Sequence, residues 1–279
     1  MLHLLALEIN VVTHCNLSCV GCSHSSPAAA EGFADVATVG RDFSALADVV
    51  EPVYVRLVGG EPLLHPELDQ IIGAIRSAMP HAIIRLYTNG TRIDKGTSPW
   101  LAALDELLVS VYPRAAVPDS TLRHLAAECA TANTTLLVER FFAFRASRPT
   151  RQLTATEARQ VFQTCQMAHA KSAHIVQDGH VYLCPMSAPA TIARHDGPSC
   201  RIEPHDTLEH RLSAFLNRKD PLAKCHNCLG TVGSRLPHAM ASRKTWVELS
   251  TRGEIDYSHM DVLLRDPDSN NFCSVAETW

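Results

Sequence analysis

The sequence predicts an α/β fold with a parallel sheet, on three observations. Strand-like and helix-like stretches alternate along the first 165 residues, which is typical of βα units. Five such units precede Cys165, fewer than the eight of a closed barrel, so a partial barrel is expected. Hydrophobic residues make up 46% of the 279-residue chain, which is enough for a substantial core.

Each element of this pattern has a local signal. Runs rich in apolar and β-branched residues predict strands, and helical spacing predicts the segments between them. Pro66 suits a first helical turn, Asn89-Gly90 is a turn signal after the third strand, and Ser120 is a favourable helix cap. The predicted strands are 4–12, 53–58, 82–87, 107–112 and 134–144, and the predicted helices are 36–50, 66–78, 101–104, 120–130 and 154–164.

The chain changes character after Cys165. Asp178-Gly179 predicts the turn of a hairpin over 173–184, and residues 208–216 have helical spacing. Residues 235–279 carry no pattern that predicts an element. We therefore expect residues 1–150 to form the partial barrel and residues 151–279 to form a smaller second domain with a C-terminal tail.

Composition and charge exclude several classes of protein. The net charge of −4 does not indicate a nucleic-acid binder. No segment approaches the roughly 18 consecutive apolar residues of a membrane-spanning helix, and the N-terminus lacks the features of a signal peptide. We expect a cytoplasmic protein with neither a nucleic-acid nor a membrane partner. In that compartment the ten cysteines favour metal ligands or catalytic groups over disulfides.

A group of cysteines directly follows the first predicted strand. Cys15, Cys19 and Cys22 are separated by three and then two residues on one short loop. Three thiolates on such a loop can hold three irons of a [4Fe–4S] cluster, which leaves the fourth iron open to a small-molecule ligand. The alternative is a zinc loop, in which His24 would supply the fourth ligand that zinc usually takes.

This spacing resembles the CxxxCxxC loop of radical S-adenosylmethionine (SAM) enzymes, and the next strand ends fit the same resemblance. Residues 59–62 are similar to the family's GGEP motif after the second strand, and further polar residues end the third and fourth strands. The resemblance covers about residues 4–145. It implies a [4Fe–4S] cluster on the cysteines of the loop, and SAM bound by Gly59, Gly60, Glu61, Pro62, Asn89, Ser110 and Tyr112.

The resemblance also implies a fold and a chemistry. The fold would be the partial (β/α) barrel of radical SAM enzymes. In that family the reduced cluster donates an electron to SAM, which splits into methionine and a 5′-deoxyadenosyl radical. The radical abstracts a hydrogen atom from a C–H bond, while the protein binds and orients the reactants and excludes water. An external electron donor such as flavodoxin or ferredoxin would reduce the cluster.

A second set of cysteines lies in the other half of the chain. It ends in a CxxC pair, and its opening has a CX₁₃GX₄C spacing. Four thiolates saturate a [4Fe–4S] cluster, although a Cys₄ zinc site fits the same residues. This half resembles the SPASM/twitch extension of radical SAM enzymes, in the shorter twitch form with one auxiliary [4Fe–4S] cluster. The ligands implied by that resemblance are Cys165, Cys184, Cys225 and Cys228.

Among twitch members, the arrangement is most similar to the 2-deoxy-scyllo-inosamine dehydrogenase family. That family oxidises a secondary alcohol of an aminocyclitol, which implies a small-molecule substrate of sugar or aminocyclitol type in a biosynthetic pathway. The reaction needs a base near the barrel mouth, and Glu139, Arg140 and Arg145 are the candidate catalytic residues on or after the fifth strand. An arginine stays charged, so the arginines suit orientation of a hydroxyl better than removal of its proton.

Three alternatives remain open at this stage. The first is peptide modification, by thioether formation or epimerisation, although a cluster loop that begins at Cys15 leads us to expect no leader-binding domain upstream. The second is epimerisation of a sugar carbon, with Cys200 or Cys273 as the hydrogen-atom donor. The third is a zinc-stabilised interaction protein without catalysis. The three cysteines outside the two sets, which include Cys129, are otherwise expected to be small buried hydrophobic residues.

Overall fold

The structure is a computed structural model that describes residues 1–93, 99–189, 197–203, 206–269 and 273–279. Its strands are β1 (Leu2–Val12), β2 (Val50–Gly59), β3 (Ile83–Thr88), β4 (Glu106–Val111), β5 (Thr135–Phe141), β6 (Ala143–Arg145), β7 (His174–Gln177), β8 (His180–Tyr182), β9 (Cys200–Arg201), β10 (Arg235–Pro237) and β11 (Ser274–Thr278). Its α-helices are α1 (Val36–Ala47), α2 (Leu68–Ala78), α3 (Asp119–Ala132), α4 (Ala155–Gln163), α5 (Leu208–Leu216), α6 (Arg243–Ser250) and α7 (Tyr257–Arg265).

One large sheet organises the part of the chain that the structure describes. Its nine strands follow the order β11-β5-β4-β3-β2-β1-β7-β8-β9. Strands β1 to β5 are parallel neighbours, and β7 lies parallel to β1 on its other side. The sheet ends at β11 and β9 and does not close on itself within the described residues, so the predicted α/β fold with a partial barrel is confirmed.

The second half of the chain extends this sheet at both edges. Strands β7, β8 and β9 continue it beyond β1, and β11 pairs antiparallel with β5. The predicted hairpin turn is present between β7 and β8, where Asp178 and Gly179 both have positive φ angles of 49° and 77°. A separate two-stranded sheet joins β6 to β10. The main sheet is therefore built from residues both before and after position 150.

Helices α1 and α2 cover the sheet with apolar faces at helical spacing. Val39, Phe43 and Leu46 of α1 are buried, as are Ile71 and Ile75 of α2. Full burial of each large apolar side chain contributes about 1.5–3 kcal/mol. This core lies behind the sheet and holds the carboxyl ends of the parallel strands in fixed positions.

Most predicted boundaries agree with the structure to within three residues. The exceptions have local causes. Segment 134–144 is two strands, because the chain breaks at Phe142 and β6 leaves for the second sheet. Helix α3 begins at Asp119 after Pro118, so Ser120 lies inside the helix and is not its cap. Segment 101–104 forms a single 3-10 turn, Leu101–Ala103. None of the described helices has the length and apolar character needed to span a bilayer.

Candidate active site

A cavity of about 480 Å³ opens at the carboxyl ends of the parallel strands. Residues from both halves of the chain line it, including members of both cysteine sets. The lining cysteines are Cys15, Cys19, Cys22, Cys165, Cys184, Cys228 and Cys273. The two cysteine sets are more than 140 positions apart in the sequence, yet members of both line this one cavity.

The three thiols of the first loop lie close enough to influence one another. Burial raises the pKa of Cys19 to about 12, and the charges of Cys22 and Cys15 add to this effect. Burial also raises the pKa of Cys15 to about 11. The backbone N–H of Leu17 and the amide of Asn89 donate to Cys15 Sγ at 3.4 and 3.7 Å. Donors of this kind stabilise metal-bound thiolates, so the loop fits an iron–sulfur cluster.

The two glycines of the GGEP motif lie against the backbone that leads into the cysteine loop, and no larger residue would fit there. Gly59 has a φ of +128°, and a Cβ there would lie 2.3 Å from Val12 O. A Cβ on Gly60 would lie 1.7 Å from His14 O. The backbone N–H of Gly60 donates to Val12 O at 2.6 Å. The glycines thus let β2 lock the start of the cysteine loop in place.

Glu61 joins the ends of two neighbouring strands. Its carboxylate accepts hydrogen bonds from Thr88 Oγ1 at 2.6 Å, from the Asn89 backbone N–H at 2.8 Å and from the Leu63 backbone N–H at 3.1 Å. Its side chain is 1% exposed, and burial raises its pKa while these bonds oppose the rise. Glu61 does not line the cavity, whereas the adjacent Pro62 does. The carboxylate braces the site from behind.

Asn89 connects the end of β3 to the cysteine loop and lines the cavity. Its amide nitrogen donates to Asn16 Oδ1 at 2.9 Å, and its oxygen accepts from Thr91 Oγ1 at 2.6 Å. Asn16 in turn donates to Thr91 Oγ1 at 2.7 Å. This closed network fixes the residue that follows Cys15.

Ser110 and Tyr112 line the cavity at the end of β4. The Tyr112 ring packs at 5.4 Å from Phe141, at 5.6 Å from Phe144 and in a stack at 5.1 Å from His238. Burial raises the pKa of the Tyr112 hydroxyl. These rings form an aromatic wall beside the first cysteine loop.

A segment for which the sequence predicts no element packs directly on that loop. His238 Nε2 lies 3.3 Å from Cys19 Sγ, and Trp246 Nε1 donates to Cys19 O at 2.8 Å. The backbone N–H of Val20 donates to Ala239 O at 2.8 Å. The only sequence signal was a histidine and a tryptophan in an otherwise unpatterned stretch, and 219 or more positions separate them from Cys19.

Arg148 lies between the two cysteine sets. Its Nη2 donates to Ser25 Oγ at 2.6 Å, and its guanidinium lies 5.2 Å from the centre of the Trp246 ring. Burial lowers the pKa of Arg148, whereas the charges of Cys228 and Cys22 oppose this change. A cation at this position favours negative charge on both sets.

One family model matches part of the first half of the chain. Residues 9–117 match the family model described as the radical SAM superfamily. This part of the chain is therefore similar to radical SAM domains. Its cysteine loop and GGEP motif both fall inside the matched residues. No curated protein sequence matches the chain significantly.

Solved structures show a fold similar to that of this chain. anSMEcpe with bound AdoMet has a TM-score of 0.51 at 11% identity, over 95% of this chain and 99% of that one. BtrN in complex with AdoMet and 2-DOIA has a TM-score of 0.47 at 16% identity, over 80% and 84%. Streptococcus suis SuiB bound to S-adenosylmethionine has a TM-score of 0.40 at 18% identity, over 48% and 33%. At these identities the similarity to anSMEcpe shows a shared fold.

The four cysteines of the second set lie close enough together for their charges to influence one another. Burial raises the pKa of Cys165 to about 12 and that of Cys225 to about 11, and the charge of Cys184 adds to both. Burial also raises the pKa of Cys228, again with the charges of the other three contributing. The Gly230 backbone N–H donates to Cys228 Sγ at 3.3 Å. Four adjacent thiols with an N–H donor fit a four-thiolate cluster.

Neither cysteine set is arranged around a single metal ion. Zinc takes its thiolate ligands at about 2.3 Å. Within the described ranges, no three side chains of His, Cys, Asp or Glu form a group that could hold one ion.

The three remaining cysteines differ in their surroundings. Cys129 of α3 and Cys200 of β9 pack as small apolar residues in the main hydrophobic core. Cys273 is also buried, but it lines the same cavity as members of both cysteine sets. Of the two spare thiols considered as hydrogen-atom donors, the structure brings only Cys273 to the site.

Of the three candidate catalytic residues, Glu139 and Arg145 line the cavity and Arg140 does not. Successive residues of a strand point to opposite faces, which separates Glu139 from Arg140 on β5. The Glu139 carboxylate accepts from Ser274 Oγ at 2.5 Å. Arg140 pairs on the outer face with Asp119 at 3.0 Å. Glu139 is thus the candidate base.

Arg145 is engaged in tertiary contacts with the C-terminal region. Its side chain is 6% exposed, and Nη1 lies 2.9 Å from both Asp256 Oδ2 and Gly233 O. The Arg145 guanidinium helps to hold the pKa of Asp256 below its usual range despite the opposing effect of burial. Arg145 fixes the wall of the cavity by joining β6 to the C-terminal region.

The inner wall of the cavity carries further charges that the sequence did not single out. Glu8 of β1 and Arg56 of β2 are adjacent in register and form an ion pair at 3.1 Å. Arg56 also donates to Lys171 O at 3.0 Å, and both Lys171 and Tyr87 line the same wall. These groups offer donors and acceptors to a polar ligand deep in the partial barrel.

Proposed function

We propose that the chain is a radical SAM oxidoreductase with two [4Fe–4S] clusters that oxidises a secondary alcohol of a sugar or aminocyclitol-type small molecule. One observation carries the proposal. Members of both cysteine sets and Glu139 line the same cavity. A hydrogen-abstraction centre, a base and an electron acceptor would then lie around one substrate.

Each part of this site has residues that would serve it. Cys15, Cys19 and Cys22 would hold the first cluster, and the second cysteine set would hold the auxiliary cluster. When bound, the first cluster and SAM supply the radical that abstracts hydrogen, and the auxiliary cluster supplies an acceptor for the electron that alcohol oxidation releases. SAM would bind along the strand ends that carry Asn89 and Ser110, which both line the cavity.

The chain's own contribution to the oxidation is removal of the hydroxyl proton. Glu139 is suited to this because its carboxylate lines the cavity and one oxygen is held by Ser274. A carboxylate fixed in this way can accept a proton from a hydroxyl within hydrogen-bond reach. The Glu8–Arg56 pair would orient other hydroxyl or amino groups of the substrate.

Epimerisation of a sugar carbon is the second candidate, and one observation favours it. Cys273 lines the cavity, where its thiol would return a hydrogen atom to a carbon radical. This step would leave a sulfur radical on Cys273, which an external reductant would have to reduce with one electron and one proton. No such reduction is needed for the alcohol oxidation.

The experiment is an anaerobic reaction of the reconstituted protein with SAM, reduced flavodoxin or ferredoxin and a panel of sugars and aminocyclitols. Oxidation predicts a product two hydrogens lighter than the substrate. An unchanged mass in water with deuterium incorporated from D₂O would instead establish epimerisation. SAM cleavage that responds only to peptides would overturn the small-molecule proposal.

Two matched variants test the assignment of the base. Glu139→Gln removes the proton acceptor, and we expect at least about a hundredfold loss in turnover. Arg140→Gln changes the next residue on the opposite face and should leave turnover within about threefold. Equal losses in both variants would contradict a catalytic role for Glu139.

A further inference from the structure

The contact between His238 and the cysteine loop has a defined chemistry. His238 Nε2 lies 3.3 Å from Cys19 Sγ. The sulfur of a metal-bound thiolate can only accept a hydrogen bond, so Nε2 carries the proton. The other ring nitrogen, Nδ1, has no partner among the described residues, as suits the lone pair of the neutral ring.

The ring is held in this orientation from several sides. It stacks on Tyr112 at 5.1 Å with an angle of 13° between the rings, and it meets the edge of Phe144 at 5.6 Å. Its own backbone N–H donates to Phe142 O at 3.2 Å. His238 is 6% exposed. A donor so closely packed is preorganised toward the sulfur.

We infer that His238 is a positioning residue for the first cluster, which it serves by donating from Nε2 to Cys19 Sγ and so raising the cluster's reduction potential. The inference rests on the proposed function, because it requires a cluster at Cys19. Reduction adds negative charge to a cluster, and a hydrogen bond to a ligand sulfur stabilises the more negative state. His238 therefore makes the first cluster easier to reduce.

Two substitutions distinguish the effect of the N–H donor of His238 from the effect of its ring packing. His238→Phe keeps an aromatic ring against Tyr112 but removes the N–H. His238→Gln removes the ring but places an amide N–H at about the reach of Nε2. The readout is a redox titration followed by EPR of the cluster signal that responds to SAM, which distinguishes it from the auxiliary cluster.

The expected results differ for the two variants. For H238F we expect the equilibrium constant for reduction to fall about tenfold, which is a potential about 59 mV lower for one electron. For H238Q we expect a change of less than about threefold. His259 is also 6% exposed, and the charged groups that act on it are Arg145, Asp256 and Arg235, so H259F should leave the potential unchanged.

Several results would overturn the inference. An unchanged potential in H238F would do so, and so would equal decreases in H238F and H238Q, which would point to ring packing alone. If H238F retains no cluster, His238→Asn replaces it, because its amide is too short to reach Cys19. Loss of the cluster in H238F and H238N with retention in H238Q supports the donor, whereas loss in all three contradicts it. A wild-type protein without iron would instead overturn the proposed function.

Discussion

A methyl group added at Gly60 should remove the cluster site. The Cβ of an alanine there would lie 1.7 Å from His14 O, 2.2 Å from His14 C and 3.0 Å from Cys15 N. All three are backbone atoms, so no rotamer change can relieve the overlap. Overpacking typically costs about 1–3 kcal/mol, and a clash with backbone should reach or exceed the upper end of that range.

The same clash predicts a specific loss of function. The atoms that would have to move belong to the chain entering the cysteine loop, between His14 and Cys15. If the protein holds the two proposed clusters, Gly60→Ala should lose most of the iron of the first and retain that of the second, giving about four irons per chain instead of about eight. Iron and sulfide analysis with a thermal unfolding curve would measure both effects.

Gly73→Ala is the matched control for this prediction. Gly73 lies within α2, and an added Cβ there would meet no atom within 4 Å. Alanine in a helix interior is more favourable than glycine by about 1 kcal/mol, so this variant should unfold at a slightly higher temperature with full iron content. A Gly60→Ala protein with the iron content and stability of Gly73→Ala would refute the steric argument.

Three further predictions follow from buried contacts. Trp246→Phe removes the hydrogen bond to Cys19 O and should lower the free energy of unfolding by about 1 kcal/mol in urea denaturation; no change would mean that the bond contributes nothing. Cys129→Ala should cost about 1 kcal/mol for the cavity it leaves but keep all cluster iron, and a loss of iron would contradict its placement in the core. His174 is buried with its pKa lowered to about 4, whereas the unfolded chain takes up this proton near pH 6.5. Stability should therefore fall as the pH drops from 6.5 toward 4, by about 2 kcal/mol at pH 5, and a His174→Asn variant that shows the same fall between pH 7 and 5 would exclude His174 as the cause.

Sequence patterns predicted what depends on local chemistry. The alternation of strands and helices, the Asp178-Gly179 turn and the cysteine loop are all encoded within short stretches. The alternation along β5 even separates Glu139 from Arg140, since neighbouring residues face opposite sides. This alternation could not predict which way Arg145 points, because the chain breaks at Phe142 and Arg145 belongs to a new strand in another sheet.

The remainder depends on long-range packing. His238 and Trp246 have no periodic pattern around them, and only the folded chain brings them to Cys19. The glycines of the GGEP motif were expected to bind SAM, and the structure shows that they also pack against the chain before Cys15. Glu61 was expected at SAM, but its carboxylate is occupied in bracing β2 and β3.

The central claim is that Cys15, Cys19 and Cys22 hold a cluster with one iron open to SAM. EPR spectra of the reduced protein before and after addition of SAM test it most directly. The account predicts a signal that shifts on addition of SAM, and loss of that shifting signal in Cys19→Ala while a second signal persists. A spectrum that SAM leaves unchanged, or a SAM response that survives the loss of Cys19, would contradict it.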